Sequence, residues 1–488
     1  MEETELKLAL PGADPSMLLT RLKRIPVLAR RKSTTLHLHN IYFDTPDLAL
    51  RQQRVALRLR RVGDSANPQW LQTLKTAGRA DSALSQRGEW ETPVPGAGLS
   101  LKALKKTPWA GIDADGDVFR ALTPFFETNF ERTIWLVRRR DGSVVEVALD
   151  IGQLKAGERI APLCELELEL KAGQPQALFD IAQQIAGSMA LLPATISKAE
   201  RGYALAQDEL GRALRAAAPA LPTRLTVTTA AQCVLCEMFS QFTSNLGTLL
   251  ISDDPEVLHQ ARVGWRRFQS ARRLFARALA SDATPDWSPL QALLICLGKL
   301  RDLDVASSET LPALANAYVS ADPRRADIWL HMTQSLAQAT HLQRKAVRYA
   351  LQDPTVGACL LATTQWLEGL NIPSADASRE PDTSLRRWTQ HRVLRLRAQL
   401  KLARQQMQTP EQQHRVRILA KRMRYNLDAL SSLLPTKQAQ RWREQALQLQ
   451  TSLGTARDAM QAAALIVELG LDRGLAEFLR GLATGQQT

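Results

Sequence analysis

The 488-residue sequence predicts two different folds in one chain: an α+β N-terminal half built as a closed antiparallel β-barrel with flanking helices, and an all-α C-terminal half of two repeated four-helix bundles. Three observations support this prediction. Charged residues alternate with Leu and Val in several short segments of residues 1–205, which is typical of strands with one polar and one apolar face. After Tyr203 the chain becomes rich in Leu, Ala, Gln and Arg at helical spacing. Two sequence blocks in this second part recur at a matched separation, which indicates an internal duplication.

Eight segments of the N-terminal half have the period-2 pattern or the composition of β-strands. They are Glu2–Leu10, His37–Phe43, Val55–Val62, Trp70–Thr76, Gly88–Thr92, Phe130–Arg138, Val144–Ile151 and Cys164–Lys171. Stretches near 15–30, 97–107, 116–127 and 175–190 are predicted to be helices.

The first strand sets the pattern. Glu3, Glu5 and Lys7 are two residues apart and share one face, while Leu6 and Leu8 lie on the other. One such strand could be a solvated edge, but the same alternation recurs along the chain. It is seen for Glu165, Glu167, Glu169 and Lys171, for Glu146 and Asp150, for Arg58 and Arg60, and other strands add Lys75, Arg87, Glu89, Glu91 and Arg132.

Strands of this kind could form an open sheet with a wet charged face, or a barrel with a charged lumen and helices outside. The distribution of charge favours the barrel. Carboxylates cluster on three strands and would repel each other without a positive partner, and oxygen ligands of this kind suit Mg²⁺ or Mn²⁺. The basic strands supply the cations that a metal-bridged polyphosphate requires.

These motifs together resemble the CYTH domain, the fold of the triphosphate tunnel metalloenzymes. The resemblance covers about residues 1–205 and rests on motifs that occur in the expected order. They are ExExK at 3–7, YFDT at 42–45, LRLR at 57–60, the strand that holds Lys75, RxExE at 87–91, FERTIW at 130–135, ELELELK at 165–171 and SKAERGY at 197–203.

The resemblance implies a metal-dependent hydrolase that encloses inorganic triphosphate and releases pyrophosphate and orthophosphate, with one or two Mg²⁺ or Mn²⁺ ions per site. It implies metal ligation by Glu3, Glu5, Asp150, Glu165 and Glu167. Substrate binding is expected from Lys7, Arg58, Arg60, Lys75, Arg87, Arg132, Lys198 and Arg201. The catalytic set would be Glu3, Glu5, Lys7, Glu165 and Glu167, with Glu89, Glu91, Glu146 and Glu169 on the inner wall.

Two other functions remain open from the sequence. The protein could capture polyphosphate without turnover, or the barrel could act on an organic triphosphate such as thiamine triphosphate, a nucleotide or an RNA 5′-triphosphate. His37 and His39 could be proposed as bases, but alternating histidines on a strand are more typical of its outer surface.

The C-terminal half is expected to begin after a linker at 206–224, where Pro219 and Pro222 interrupt helix formation. A helical domain over about 225–480 follows. The loop Pro373–Thr383 divides it into two repeats, about 225–370 and 384–480. The block HQARVGWRR at 259–267 is echoed by HRVRILAKR at 414–422, and LGKLRD at 297–302 by LGTARD at 453–458.

Each repeat predicts a basic stripe on one helix face, because positions i, i+3 and i+7 lie together. The stripes contain His259, Arg262, Arg266 and Arg273 in the first copy, and His414, Arg417, Lys421 and Arg424 in the second. This repeated arrangement resembles a CHAD domain, which implies binding of long-chain polyphosphate. A single basic stripe would more often be a solvated face.

Charge is divided unevenly between the halves. Residues 1–210 hold 28 Lys and Arg against 26 Asp and Glu, whereas residues 211–488 hold 35 against 23. A basic half suggests a polyanionic partner, and the scarcity of clustered aromatics argues against nucleic acid. The five scattered cysteines, the charged N-terminus and the absence of a long apolar run predict a cytoplasmic protein without a membrane partner. The oligomeric state stays open.

Overall fold

The computed structural model describes residues 2–63, 68–76, 78, 82–279, 284–320, 322–370, 384–452 and 455–485. The chain forms two compact units. The first contains Met1–Arg212 with Leu246–Ser252 and Leu351–Gln365, and the second contains Ala213–Asn245, Asp253–Ala350 and Trp366–Thr488. The predicted loop Pro373–Thr383 lies outside the described residues. Among the described residues, the second unit contains helices, 3₁₀ turns and connecting segments but no strands.

The first unit contains an antiparallel barrel, as the sequence predicts. Its strands are β1 (Glu2–Ala9), β2 (Ser33–Asp44), β3 (Ala56–Val62), β4 (Gln69–Lys75), β5 (Leu84–Val94), β6 (Thr123–Arg138), β7 (Val144–Ala156) and β8 (Arg159–Ala172). Their order is β5-β4-β3-β2-β6-β7-β8-β1, and β1 also pairs with β5, so the sheet closes on itself. The short strand β9 (Leu192–Pro193) extends the sheet beside the end of β1.

Helices cover the outside of this barrel. They are α1 (Pro15–Leu22), α2 (Pro26–Ala29), α3 (Ala49–Gln52), α4 (Leu101–Leu104), α5 (Asp117–Ala121), α6 (Gln176–Ala186) and α7 (Lys198–Ala206), with a 3₁₀ turn at Pro108–Gly111. The apolar faces of β1, β7 and β8 pack against α1 and α6 in the largest core cluster, where Leu6, Leu8, Leu166 and Leu168 are fully buried. Burying the leucines outward under helices leaves the alternating charged residues facing inward.

The helix predicted near 116–127 is partly wrong. It ends at Ala121, and β6 begins at Thr123. The first residues of β6 pair with the end of β2, with Phe126 opposite Tyr42, so cross-strand pairing overrides the local helical pattern. The stretch near 97–107 is likewise reduced to Leu101–Leu104.

The helical part contains α8 (Val227–Thr248), α9 (Pro255–Phe275), α10 (Gln291–Val305), α11 (Ala315–Val319), α12 (Pro323–Ala350), α13 (Pro354–Gly369), α14 (Leu385–Gln405), α15 (Pro410–Ala429), α16 (Thr436–Ser452), α17 (Thr455–Glu468) and α18 (Arg473–Gly485). Among the described residues each repeat therefore has five long helices, where the sequence indicated about four. In the second unit α9 packs on α15 and α10 on α17. The helices that carry the repeated blocks thus contact each other.

Within the part of the chain that the structure describes, none of the helices combines the length and the apolar character needed to cross a bilayer.

Candidate functional site: a charged lumen and a cationic helix pair

The barrel encloses a cavity of about 380 Å³, which we call the lumen. Its lining is almost entirely charged and comes from all eight strands and the start of α7. The lining includes Glu3, Glu5, Lys7, Tyr42, Arg58, Arg60, Lys75, Arg87, Glu89, Glu91, Arg132, Glu146, Glu167, Glu169, Lys171 and Lys198. His39 lies on the opposite face of β2 and pairs with Glu127 at 2.9 Å, which agrees with a surface role.

Three predicted metal ligands converge beside the lumen, and one of them, Glu167, lines it. Asp150 and Glu165 are directly opposed on β7 and β8, and Glu167 follows on the same face of β8. Oxygens of these three carboxylates lie within 4.8 Å of one another. Three clustered carboxylates are a donor set that Mg²⁺ or Mn²⁺ accepts, so the residues present fit a divalent metal.

Three cations neutralise this carboxylate cluster: Lys198, Arg132 and Arg201. Lys198 Nζ lies 2.7 Å from Asp150 Oδ2 and 2.8 Å from Glu167 Oε1, and it also contacts Glu165. Arg132 donates to both oxygens of Asp150, at 2.7 and 2.6 Å, and to Glu167 at 2.5 Å. Burial alone would raise the pKa of Glu167, but Lys198 and Arg132 outweigh it and hold that pKa well below its usual value. The carboxylate therefore stays ionised.

Glu3 and Glu5 form a separate acidic pair on β1. Lys75 Nζ lies 2.8 Å from Glu3, and Arg87 lies 3.2 Å from Glu3 and also contacts Glu5. Lys7 pairs with Glu5 at 2.6 Å. Burial raises the pKa of Glu5, and Lys7 and Arg87 together lower it below its ordinary value. The structure thus brings three of the five predicted ligands into one cluster and binds the other two to basic side chains.

The strand β3 supplies the least neutralised cations of the lumen. Arg60 donates to Asn40 Oδ1 at 2.8 Å, and its pKa is lowered to about 10 by burial and by the neighbouring Arg58 and Arg132. Arg58 pairs with Glu89 at 3.4 Å and hydrogen-bonds Tyr42, while its buried Nε has no acceptor among the described residues. An incoming anion would relieve this repulsion and satisfy the free donor.

The helix α7 is fixed at one end of the barrel by specific contacts. Ser197 and Glu200 form a capping box at its start. Tyr203 Oη donates to Asp44 Oδ2 at 2.7 Å. A Cβ on Gly202 would lie 2.1–2.6 Å from the Phe126 ring, so glycine is required for this close approach. These contacts position Lys198 in the lumen and Arg201 against Glu165, at 3.0 Å.

In the second unit the two predicted basic stripes meet. The pKa of Lys421 on α15 is lowered to about 7 by burial, by Arg266 of α9, and by Arg417, Arg457 and Arg424. The pKa of Arg262 is lowered to about 10, first by burial and then by Arg266. His414 hydrogen-bonds Arg457 at 3.2 Å. We call this group the cationic centre; it comprises His259, Arg262, Arg266, His414, Arg417, Lys421, Arg424 and Arg457.

The cationic centre differs from the lumen in its ion pairing. Each lumen cation described above pairs with a carboxylate, whereas among the described residues Arg266, Arg417, Lys421 and Arg424 have no carboxylate oxygen within 4.0 Å. The buried Nε atoms of Arg417 and Arg424 also lack acceptors there. Arg273 lies apart from this group, beside Arg272 and Arg422, whose pKa values burial and Arg273 both lower.

Comparison with known families agrees with both sites. Residues 1–203 match the CYTH domain family, and residues 233–467 match the CHAD domain family. The chain carries a CYTH domain followed by a CHAD domain. The lumen lies in the CYTH domain and the cationic centre in the CHAD domain.

Relatives of each domain are found among known proteins. The chain is 33% identical over 216 residues to an inorganic triphosphatase of Haemophilus influenzae, covering 43% of this chain and 56% of that relative, so it spans little more than half of the relative's length. The CHAD domain structure from Ricinus communis aligns at 27% identity and TM-score 0.47, covering 56% of this chain and 91% of that one. A Hippeastrum protein reported with a dominant triphosphatase activity aligns at 18% identity and TM-score 0.29, covering 41% of this chain and 95% of that one.

The structure adds residues to both sites that the sequence prediction omitted. In the CYTH domain, Tyr42 and Asn40 hold the two arginines of β3. In the CHAD domain, Arg457 joins the cationic centre. Signals for them existed, because Tyr42 opens the YFDT motif and Arg457 belongs to the repeated LGxxRD block.

Proposed function

We propose that the CYTH domain hydrolyses inorganic triphosphate to pyrophosphate and orthophosphate inside the lumen, with Mg²⁺ or Mn²⁺ held by Asp150, Glu165 and Glu167. The observation that carries the proposal is a buried cluster of three carboxylates beside a lumen that is lined by cations from six strands and α7. A divalent ion bound there would neutralise phosphate oxygens and lower the pKa of a water molecule.

The residues of the chain would do the positioning. Arg58, Arg60, Lys75 and Arg87 come from neighbouring strands, so they would contact successive phosphates of a linear chain. Arg132 and Lys198 would stabilise negative charge near the carboxylate cluster. No protein nucleophile is required, because the water would attack the terminal phosphorus directly and its proton would pass to solvent or a carboxylate.

The lumen favours an inorganic substrate over an organic triphosphate. Among the described residues, Tyr42 is the one aromatic residue that lines it. Its ring is stacked on Phe126 with ring centroids 4.4 Å apart and does not offer a free face to a base. Charged side chains surround the remaining volume. A thiamine or nucleoside group would therefore lack an apolar surface to contact.

We further propose that the cationic centre of the CHAD domain binds long-chain polyphosphate. Among the described residues its arginines and Lys421 have no carboxylate oxygen within 4.0 Å, and the nearby Asp302 and Asp458 offset only part of their positive charge. A linear polyanion contacts such a group without base-specific recognition.

Glu167→Gln tests the hydrolytic proposal. It keeps the side-chain volume but removes a metal-binding charge, so phosphate release from triphosphate should fall by about 10²–10³-fold. Glu131→Gln is the matched control, since Glu131 is exposed on β6, and it should keep full activity. Both variants should be folded at the assay temperature by circular dichroism, and only Glu167→Gln should unfold at a lower temperature, because it loses its ion pairs with Arg132 and Lys198.

Two results would contradict the proposal. Full activity of Glu167→Gln would exclude this carboxylate cluster from catalysis. Triphosphate binding without phosphate release by the unmodified protein, in Mg²⁺ and in Mn²⁺, would favour the non-catalytic binding function.

A further inference from the structure

A second cavity of about 300 Å³ adjoins the lumen at the side where α3 and α7 meet the barrel. We call it the vestibule. It shares Lys7, Lys75, Arg87 and Ser197 with the lumen, so the two cavities adjoin across these side chains. Its own lining is basic and rich in hydroxyl groups, with Arg51, Arg54, Thr76, Ser82, Ser85 and Thr195.

The charge of the vestibule is not balanced as it is in the lumen. Among the described residues, Glu200 is the one carboxylate that lines it, and it accepts a hydrogen bond from the Ser197 backbone N–H at 2.7 Å as part of the α7 cap. Arg51 is 3.7 Å from Glu209 and lies over the Tyr203 ring at 5.5 Å. Arg54 is exposed and has no carboxylate oxygen within 4.0 Å among the described residues.

The walls of the vestibule are rigidly held by one buried carboxylate. Asp44 is fully buried and accepts hydrogen bonds from the backbone N–H groups of Leu50 and Arg51, at 2.9 and 3.0 Å, at the start of α3. It also accepts from Tyr203 Oη at 2.7 Å. The same group therefore fixes α3, which precedes Arg54, and α7, which forms the opposite wall.

Arg54 is placed at a backbone position that disfavours it. Its φ is +56°, in the left-handed region, where glycine is the usual residue after a helix. Its N–H donates to Arg51 O at 2.9 Å, and Val55 N–H donates to Leu50 O at 2.9 Å, as in a helix C-terminal cap. A long cation at a position suited to glycine indicates that its side chain has a use outside the helix end.

We propose that the vestibule is an additional phosphate subsite, which binds the fourth phosphate of a linear polyphosphate whose first three phosphates occupy the lumen. The inference rests on the proposed function of the lumen. Each added phosphate brings one further negative charge, and the guanidinium groups of Arg51 and Arg54 with the surrounding hydroxyls supply its ligands. Because Lys7, Lys75 and Arg87 line both cavities, an extended phosphate chain bound in the lumen would bring its next phosphate to the vestibule beside these three cations.

The test compares hydrolysis of tripolyphosphate and tetrapolyphosphate by Arg54→Gln. The ratio of kcat/KM for tetrapolyphosphate to that for tripolyphosphate should fall about tenfold, because one charge-assisted contact is lost only with the longer substrate. Arg54→Lys should retain most of the ratio. Arg24→Gln removes an exposed arginine on the outside of the first unit and should leave the ratio unchanged.

Arg54→Gly separates this role from a structural one. Glycine suits the positive φ, so this variant should unfold at the same or a higher temperature while the substrate ratio falls as in Arg54→Gln. A variant that loses stability and activity on both substrates equally would overturn the proposal, as would an unchanged ratio in Arg54→Gln. A selective loss with ATP instead of tetrapolyphosphate would assign the vestibule to an organic group and also overturn it.

Failure of the proposed function would be recognised separately. If the unmodified protein hydrolyses neither substrate, binding is measured instead. The dissociation constants of tripolyphosphate and tetrapolyphosphate are determined in EDTA, and their ratio reports whether the vestibule contributes to binding of the longer chain. That titration uses an Arg417→Glu, Lys421→Glu background, which disables the cationic centre. Equal ratios with and without Arg54→Gln would then refute the subsite.

Discussion

Lys198 connects the end of α7 to the carboxylate cluster of the lumen. Its ammonium group contacts all three carboxylates. Burial alone would lower the pKa of Lys198, but Asp150, Glu165 and Glu167 outweigh it and raise that pKa above its usual value. Glu167, conversely, has a pKa far below that of a free carboxyl group. Its ion pairing stabilises the fold above about pH 4.5, and this stabilisation is lost as the pH falls toward the lowered pKa.

Lys198→Met should destabilise the protein and make its stability depend on divalent metal. Removing one partner of a buried ion pair costs about 3–5 kcal/mol, and here the three carboxylates would retain only Arg132 and Arg201. Mg²⁺ could replace the lost charge, so urea denaturation in EDTA and in excess Mg²⁺ should differ more for this variant than for the unmodified protein. Lys155→Met, on the outer face of β7, is the control. Equal stability in EDTA would contradict this interpretation of Lys198.

At the scale of elements, the strands were predictable because two environments act on alternate residues. Leu6 and Leu8 lie under helices while Glu5 and Lys7 face the lumen, so the period of two is strong in the sequence. The start of β6 at Thr123 was not predictable locally, since it depends on pairing with β2.

The composition of the carboxylate cluster was also beyond sequence reasoning. The motifs identify five acidic residues facing inward, but the register of β7 and β8 decides which of them meet. Asp150 lies opposite Glu165, whereas Glu5 lies opposite Glu169 and is bound by Lys7 and Arg87. Similarly, the heptad-like spacing predicts a basic face on α9 and one on α15, but only the packing of the two helices brings these faces together.

Lys421 on α15 should make the affinity for long-chain polyphosphate depend on pH. Burial and four arginines, Arg266 of α9, Arg417 and Arg424 of its own helix and Arg457 of α17, lower its pKa to about 7. One carboxylate, Asp458 of α17, also interacts with it. Above pH 7 the unliganded side chain is mostly neutral, so binding a polyanion requires proton uptake. Affinity for long-chain polyphosphate should therefore fall by up to about tenfold per pH unit between pH 7 and 9.

Calorimetric titrations in buffers of different ionisation enthalpy measure this proton uptake. His259 and His414 have pKa values below 6.5, lowered first by burial, and do not titrate in this range. Lys421→Arg should flatten the pH dependence because arginine stays charged. Since unfolded Lys421 binds a proton up to about pH 10.4, this residue should also make stability increase with pH between 7 and 10. Equal pH dependence in the arginine variant would refute its role.

At the scale of the whole molecule, the two halves of the chain differ in how far their positive charge is balanced by carboxylates. Residues 1–210 are nearly neutral, with 28 basic against 26 acidic residues, and lumen cations are paired with carboxylates. Residues 211–488 have 35 against 23, and the cationic centre contains arginines without such partners among the described residues. The balanced site can orient a small substrate precisely, while the unbalanced one attracts a long polymer through long-range electrostatics.

This division predicts that the two activities can be separated by mutation. Arg262→Glu combined with Arg417→Glu reverses charge on both helices of the cationic centre, so long-chain polyphosphate binding should weaken at least about a hundredfold. The slope of log K against log salt should also become shallower, because fewer counterions are released. Triphosphate hydrolysis should stay within about twofold of the unmodified protein, since the lumen contains its own cations.

Arg324→Glu combined with Arg473→Glu is the matched control, because it changes the net charge equally at exposed positions of α12 and α18. If it weakened polyphosphate binding as strongly, the net charge of the helical part would be responsible, and the packing of α9 on α15 would carry no specific role. If the cationic-centre variant instead lost triphosphate hydrolysis along with polymer binding, the lumen would depend on that centre for its substrate. Two independent anion sites require that the Arg262→Glu, Arg417→Glu variant loses long-chain polyphosphate binding but keeps triphosphate hydrolysis, and that the control variant keeps both.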